Sequence, residues 1–504
     1  MKKQIVCMIA AVMALSTFSG CKNEELVDNE TTLNIYALEA GYGTAFLEQY
    51  KQLFESKHPG VTVMYKSSTE AYTKIYEDLR LGPDKNGYDL YFAPDMNWQL
   101  TVENDHVPGY DVLLEDLTDL YDESLEGENT TIRQKLYQGI EDYSYYKGKQ
   151  YFIPWAGGPG GFVYNADILK DEDVPKTTNQ LMKVLQTMHK DSKGNDVYSL
   201  MTSENGHGYW EYLGDTWWAQ LEGVKEYKEF YTLGDGSAIV YDNYYQDGYR
   251  RNFELIEEIV TTSKMYPNCT AMPHTQAQMY FLEGKAVMAP CGNWLEGEMN
   301  ENFEGEEMNF KMMKTPIISD LANPDKLNFP GATAEERDAK LAEVVEYIDN
   351  GETGARPEGI SDFQIQVVRN ARNLVYNVGL SHILLVPSYS NAKDLAKEFI
   401  KMMATDEGIE IYINCTKTTT AYQYDYTKAN GSILFNSYVD ILSGNKQHIV
   451  AWPNAIPERV VNSFKKFNYR LTAYRDLQIG EITAQKLVDG EIKYAENTIP
   501  TWNY

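Results

Sequence analysis

At 504 residues the chain is long enough to bury more than one core, so two or more lobes are expected. Its 74 acidic against 45 basic residues give a formal charge of −29, which argues against a nucleic-acid partner and against electrostatic adhesion to anionic lipid. The same acidity suits a well-solvated surface outside the cell.

The N-terminus reads as a targeting segment. Met1-Lys2-Lys3 is a basic start, and Ile5–Leu15 is an apolar run too short to span a bilayer. Phe18-Ser19-Gly20-Cys21 follows, with small residues directly before a cysteine as in a bacterial lipobox, although Phe18 stands where an aliphatic is usual. The expectation is a signal peptide over 1–20, lipidation of Cys21, and a polar tether over 21–32; a plain signal peptide with an incidental cysteine is the alternative. No later window is long and apolar enough to span. The mature protein is therefore expected as a lipid-anchored protein on the extracytoplasmic face of the cell membrane. Cys269, Cys291 and Cys415 remain, at spacings that match no zinc pattern. Small buried thiols, at most one disulfide, no metal and no cofactor are expected.

Leu33–Leu38 reads as a strand and Glu39–Thr44 as a turn. Helical spacing follows in Phe46, Tyr50, Leu53 and Phe54, until His58-Pro59-Gly60 stops it. Val61–Tyr65 is the next strand, a helix carries Ile75, Tyr76 and Leu79, and Tyr88–Ala93 is the third strand. This β-α-β-α-β succession predicts a parallel sheet with right-handed crossovers. Ligands collect beyond the carboxyl ends of such strands. Those ends carry Glu39, Tyr42, Glu70, Asp95, Asn97 and Trp98, each of which could equally cap a helix or face solvent.

Residues 103–147 are acidic, Tyr-rich and irregular in pattern. Gln150–Leu169 then passes from Tyr151-Phe152-Ile153-Pro154-Trp155 through four glycines and a proline, Gly157–Gly161, into Phe162-Val163-Tyr164. Two strand-like runs around a nearly side-chain-free segment suit a hinge or a closely approached backbone. Gly206–Trp218 is dense in aromatics, among them Trp210, Trp217 and Trp218. Arg250–Met265 and Gln276–Leu282 are helical, and Lys285–Pro290 returns as a strand before Cys291-Gly292-Asn293-Trp294. Ala334–Ile348 is charged with few apolar positions and reads as an exposed helical insertion. Ile383–Pro387 is a strand, and helices follow over Asn391–Met403, Ile409–Ile413, Pro457–Phe467 and Thr483–Glu496.

Taken in order, the lipoprotein signal, Leu33-Asn34-Ile35-Tyr36, Gly161-Phe162-Val163-Tyr164-Asn165-Ala166-Asp167, Phe281-Leu282-Glu283-Gly284-Lys285-Ala286-Val287-Met288, Gly292-Asn293-Trp294 and Ala392–Lys401 resemble an extracellular solute-binding protein of the sugar-transporter type, related to maltose-binding proteins. The resemblance implies a two-lobed α/β fold of the periplasmic-binding-protein type II, with discontinuous lobes, a hinge and a central cleft. It implies a first lobe of 33–157 plus 293–403, with an insertion at about 325–375, and a second of 158–292 plus 404–504. Chain crossings are expected at the Gly-rich stretch, at Cys291–Trp294 and near Met403–Asp406. It further implies a monomeric, non-catalytic protein that closes on a carbohydrate and hands it to the permease subunits of an ABC importer.

A sugar site needs aromatic faces for C–H surfaces and carboxylates or amides for hydroxyls. Trp98, Trp155, Trp294 and Trp452 could stack, and Trp155 and Trp294 flank the expected crossings. Trp210 and Trp218 are candidate platforms from the second lobe; core packing is the alternative for every Trp. Arg369 and Arg372 are open to ligand or to surface ion pairs. A glycoside hydrolase and an all-helical glycan-capturing lipoprotein remain as alternatives; no nucleophile elbow or phosphate-binding loop is present, since Gly157–Gly161 lacks a following Gly-Lys-Ser/Thr.

Overall fold

The structure, a computed structural model, describes residues 26, 29–94, 102, 107–204, 206–232, 244–299, 309–429, 431–449 and 469–498. Its strands in chain order are β1 Thr32–Leu38, β2 Thr62–Ser68, β3 Leu90–Pro94, β4 Tyr145–Tyr146, β5 Lys149–Gln150, β6 Ile153–Pro154, β7 Gly160–Asn165, β8 His189–Lys190, β9 Asp196–Leu200, β10 Ala286–Gly292, β11 Phe310–Met312, β12 Leu374–Tyr376, β13 His382–Leu385 and β14 Gln447–Ile449.

One five-stranded sheet has the order β2-β1-β3-β13-β6. β1 is parallel to both β2 and β3, as the alternation of strands and helices predicts, and β13 inserts antiparallel between β3 and β6. Every residue of β1 is buried, the mark of a strand covered on both faces. Helix Phe46–Lys57 supplies one cover through Phe46, Leu47, Tyr50 and Phe54. Inside β1 the one amide side chain, Asn34, donates from its backbone N and Nδ2 to Asp89 Oδ2 at 2.8 and 3.1 Å, which compensates part of its burial.

The second five-stranded sheet has the order β11-β7-β10-β9-β8. β9 and β10 are parallel, and β7 runs antiparallel to β10 and β11. Helix Gly206–Glu222 packs on this sheet, and helices Asp247–Thr262 and Tyr469–Gln478 pack on that helix and on each other. Trp210, Leu213 and Trp217 are fully buried along the first of them. Among the described residues no helix is long and apolar enough to cross a membrane.

The segment boundaries differ from those the resemblance implied. Residues 293–403 were expected with the first sheet, yet within them Phe310–Met312 is an edge strand of the second. The following stretch stays there: Thr178 N donates to Ile317 O at 2.9 Å, Trp217 Nε1 to Pro316 O at 3.0 Å, and Thr177 Oγ1 to Asp338 Oδ2 at 3.0 Å. The helix expected as an exposed insertion, Ala334–Asp349, buries Leu341, Val344 and Val345 completely. Conversely, helix Asp406–Thr416 remains with the first sheet, where Lys135 Nζ meets Asp406 Oδ1 at 2.7 Å and Tyr50 OH donates to Gly408 O at 3.0 Å. A short edge strand fits either sheet by its own pattern, and only its pairing partners decide. Cys269, Cys291 and Cys415 are free thiols.

Candidate functional site

The chain passes between the two sheets at several points, and these passages interlock. β6 belongs to the first sheet and β7 to the second, so Trp155–Pro159 is a crossing, as the Gly-rich pattern suggested. It is not a loose one. A Cβ on Gly157 would lie 2.5 Å from Ala421 Cα, one on Gly160 would lie 2.4 Å from Val378 and 2.6 Å from the Tyr212 ring, and one on Gly379 would lie 2.2 Å from Gly157 Cα. Gly158 combines a φ of +153° with a Cβ position 2.0 Å from Asn293 Nδ2. The glycines serve close approach as much as rotation. Gly160→Val should therefore lower stability by about 1–3 kcal/mol through overpacking, read as a lower denaturant midpoint at unchanged slope.

Asn293 ties the passages together. Its Nδ2 donates to Gly157 O at 2.9 Å and Thr419 Oγ1 at 3.1 Å, and also to Thr418 Oγ1. Its Oδ1 accepts from Tyr42 OH at 2.9 Å. The strand-end asparagine, the loop after β1, the Gly-rich crossing and residues 418–419 thus share one polar centre.

An aromatic row runs from this centre across both lobes. Tyr42 has its ring 5.9 Å from Trp155, 6.0 Å from Trp294 and 4.8 Å from His382, centroid to centroid. Trp294 continues to Tyr209 and Tyr212 at 6.0 and 6.3 Å, and Tyr212 to Tyr376 at 5.0 Å. Tyr376 OH donates to the Glu211 carboxylate. Trp294, Tyr209, Tyr212 and Glu211 keep part of their surface in solvent, whereas Tyr42, Trp155 and His382 are buried. The row lies beyond the carboxyl ends of β1 and β10 and at the start of the helix that follows β9, where α/β sheets hold ligands. Burial raises the Tyr42, Tyr212 and Tyr376 phenols and lowers the His382 imidazole to about 4. These groups are neutral at neutral pH, so the row offers hydroxyls, π faces and one carboxylate.

The sequence candidates divide. Tyr42 and Trp294 belong to the row. Trp155 forms its floor from within the core, touching Phe46, Phe92 and Tyr412, and its Nε1 has no partner among the described residues. Glu39 is exposed and accepts from Ser67 Oγ at 3.1 Å; Glu70 is exposed at the start of helix Ala71–Leu79 and makes no capping bond. Trp210 and Trp218 are not platforms here. Both are fully buried, donating at 2.7 Å to Gln478 Oε1 and Gln246 Oε1. Arg369 pairs with Glu352 and Arg372 with Asp349, the ion-pair reading of both. Asp95, Asn97, Trp98, Trp452, the Cys21 lipidation site and Pro457–Phe467 lie outside the described residues. Tyr209, Glu211, Tyr376 and His382 were not singled out by sequence. Tyr209 and Tyr212 sit three apart, one helical face away from the buried Trp210 and Trp217, and that phase was the available signal.

The family model for the bacterial extracellular solute-binding protein matches residues 49–423. A search of curated proteins finds no match. Among solved structures, a chitin oligosaccharide binding protein is 16% identical with a TM-score of 0.60, covering 93% of this chain and 99% of its own. A protein from work on xylan utilization by the thermophilic bacterium Caldanaerobius polysaccharolyticus is 15% identical with a TM-score of 0.59, over 92% and 99%. A probable secreted solute-binding lipoprotein from Streptomyces coelicolor is 12% identical with a TM-score of 0.58, over 93% and 100%. At such identities these likenesses establish the fold alone, and the family rests on its model. The chain belongs to the bacterial extracellular solute-binding protein family and has its two-lobed α/β fold.

Proposed function

We propose that this protein binds a carbohydrate, an oligosaccharide, in the cleft between its two sheets and delivers it to an ABC importer without chemical change. The aromatic row carries the reading. Trp294, Tyr209 and Tyr212 present partly exposed rings side by side, and sugar C–H faces stack on such rings. The neutral hydroxyls and Glu211 supply partners for sugar hydroxyls. The names of two structural neighbours, which mention xylan utilization and chitin oligosaccharides, point the same way. In this reading the first lobe comprises roughly residues 32–156 and 382–416, and the remainder of the described chain the second. Cys21, as the lipidated residue, holds the monomeric protein at the membrane beside its permease.

A calorimetric and thermal-shift screen over mono- and oligosaccharides tests the proposal, because a ligand that prefers the folded state raises its melting temperature. Trp294→Ala should weaken the best saccharide by about 10–100-fold, about 1.4–2.7 kcal/mol, with the fold intact. A protein that no saccharide stabilises, but that a peptide or an amine does, sinks the carbohydrate assignment. Saccharides recovered uncut after incubation are the expected companion result.

A further inference from the structure

Under the first crossing the chain encloses a small space, partly apolar through Met313, Leu374, Val375 and Ile441, whose charged lining residues among those described are all cations. A cavity of about 10 Å³ is bounded by Pro159, Gly160, Thr315 and Tyr376 and by three cations, Lys314, Arg372 and Lys446. Among the described residues no carboxylate bounds it. The nearby countercharge is Asp349, which lies behind two of the cations: Arg372 Nη2 and Nε reach it at 2.7 and 3.1 Å and Lys314 Nζ at 2.9 Å. Burial opposes that charge, but Arg372 and Lys314 hold its carboxyl at about 2.

Among the described residues Lys446 is the lining cation that pairs with no carboxylate. Its Nζ lies 3.4 Å from Asn373 Oδ1, a neutral partner at the edge of hydrogen-bonding range. Burial, with repulsion from Lys314 and Arg372, lowers its ammonium to about 8, and Asp349 offsets only part of this. Among the described residues, three cations around one half-enclosed space have a single carboxylate behind them, an unbalanced charge. The walls are not free to spread, because Arg372 is also fixed by donation to Thr315 O at 2.9 Å.

We infer that this cavity binds a small anion, held by Lys446, Lys314 and Arg372 beneath the Gly-rich crossing. Its size suits one water-sized atom, so the occupant is a chloride ion or a single carboxylate oxygen of a bound ligand. The position links it to the crossing. Pro159 pairs with Asn377 in an isolated bridge, and Tyr376, one wall of the cavity, is also the end of the aromatic row.

The test uses the whole purified protein in sodium methanesulfonate, with methanesulfonate replaced by chloride at constant ionic strength. Chloride should raise the melting temperature of the wild type by about 2–4 °C and leave Lys446→Met unmoved. In methanesulfonate alone Lys446→Met should melt no lower than the wild type, because a repelled charge has been removed. A wild type that ignores chloride, yet binds a uronic-acid oligosaccharide at least tenfold tighter than its neutral counterpart, assigns the cavity to a ligand carboxylate if Lys446→Met erases the preference. An equal rise with chloride in wild type and Lys446→Met overturns the inference, as does an acid preference that Lys446→Met keeps, or a wild type with neither chloride response nor acid preference. The chloride comparison needs no saccharide, so it stands or falls separately from the carbohydrate reading.

Discussion

Asn293→Leu should lower the unfolding free energy by about 3–5 kcal/mol, measured by urea denaturation at neutral pH. The two side chains have the same number of heavy atoms, but leucine is the bulkier, so some overpacking adds to the lost hydrogen bonds. Asn293 is fully buried and serves Gly157 O, Thr418 Oγ1, Thr419 Oγ1 and Tyr42 OH at once. Leucine leaves these groups enclosed without that partner, at about 1–3 kcal/mol for each one stranded. Gly157 O keeps a bond from Thr419 Oγ1 at 3.0 Å, so the full sum is not expected. Tyr42→Phe removes a single member and should cost about 1 kcal/mol, and the two changes together should cost less than their sum. A loss below 1 kcal/mol for Asn293→Leu would mean that the polar centre does not hold the passages together.

Acid should act at the same place. His382 is buried with its ring against Tyr42 and Trp155, and burial takes its pKa from the usual 6.5 to about 4. Between those values the unfolded chain takes up a proton that the folded chain does not, so stability rises with pH across the window. The stabilisation is complete above 6.5 and is lost as pH falls towards 4. At pH 5 the loss is about 2 kcal/mol from this residue. His448, lowered to about 3 by burial and by Lys446, adds a loss of the same sign over 6.5 to 3. Urea midpoints at pH 7 and pH 5 check this: His382→Gln should lose about 2 kcal/mol less than the wild type between the two. An identical drop in both proteins would assign the acid sensitivity elsewhere.

Local punctuation made the first sheet legible. His58-Pro59-Gly60 ends a helix before β2, and the expected runs 33–38, 61–65 and 88–93 fall on β1, β2 and β3. The crossing at Trp155–Pro159 could be read for the same reason, since no other short stretch is so poor in side chains. Partners far along the chain could not be read. Phe310–Met312 is three residues long, and only its register against Val163–Asn165 places it in the second sheet. The aromatic helix shows both limits. Trp210 and Trp217, seven residues apart, mark its buried face, while Tyr209 and Tyr212 lie on the face turned to Trp294. Composition showed that the segment was aromatic, and helical phase was needed to say which rings meet the cleft.

The insertion of β13 between β3 and β6 also dictates an order of events during synthesis. β3 pairs with β1 on one side, but on the other it waits for residues such as Ile383, whose partner Ala93 was made about 290 residues earlier. Until then the growing first sheet presents an unpaired edge of Tyr91, Phe92 and Ala93, with no strand of its own neighbourhood to cover it. Loop closure over that length is entropically slow, so the N-terminal half cannot complete its own lobe as it emerges. The first sheet therefore stays open at this edge until about three quarters of the chain has been made.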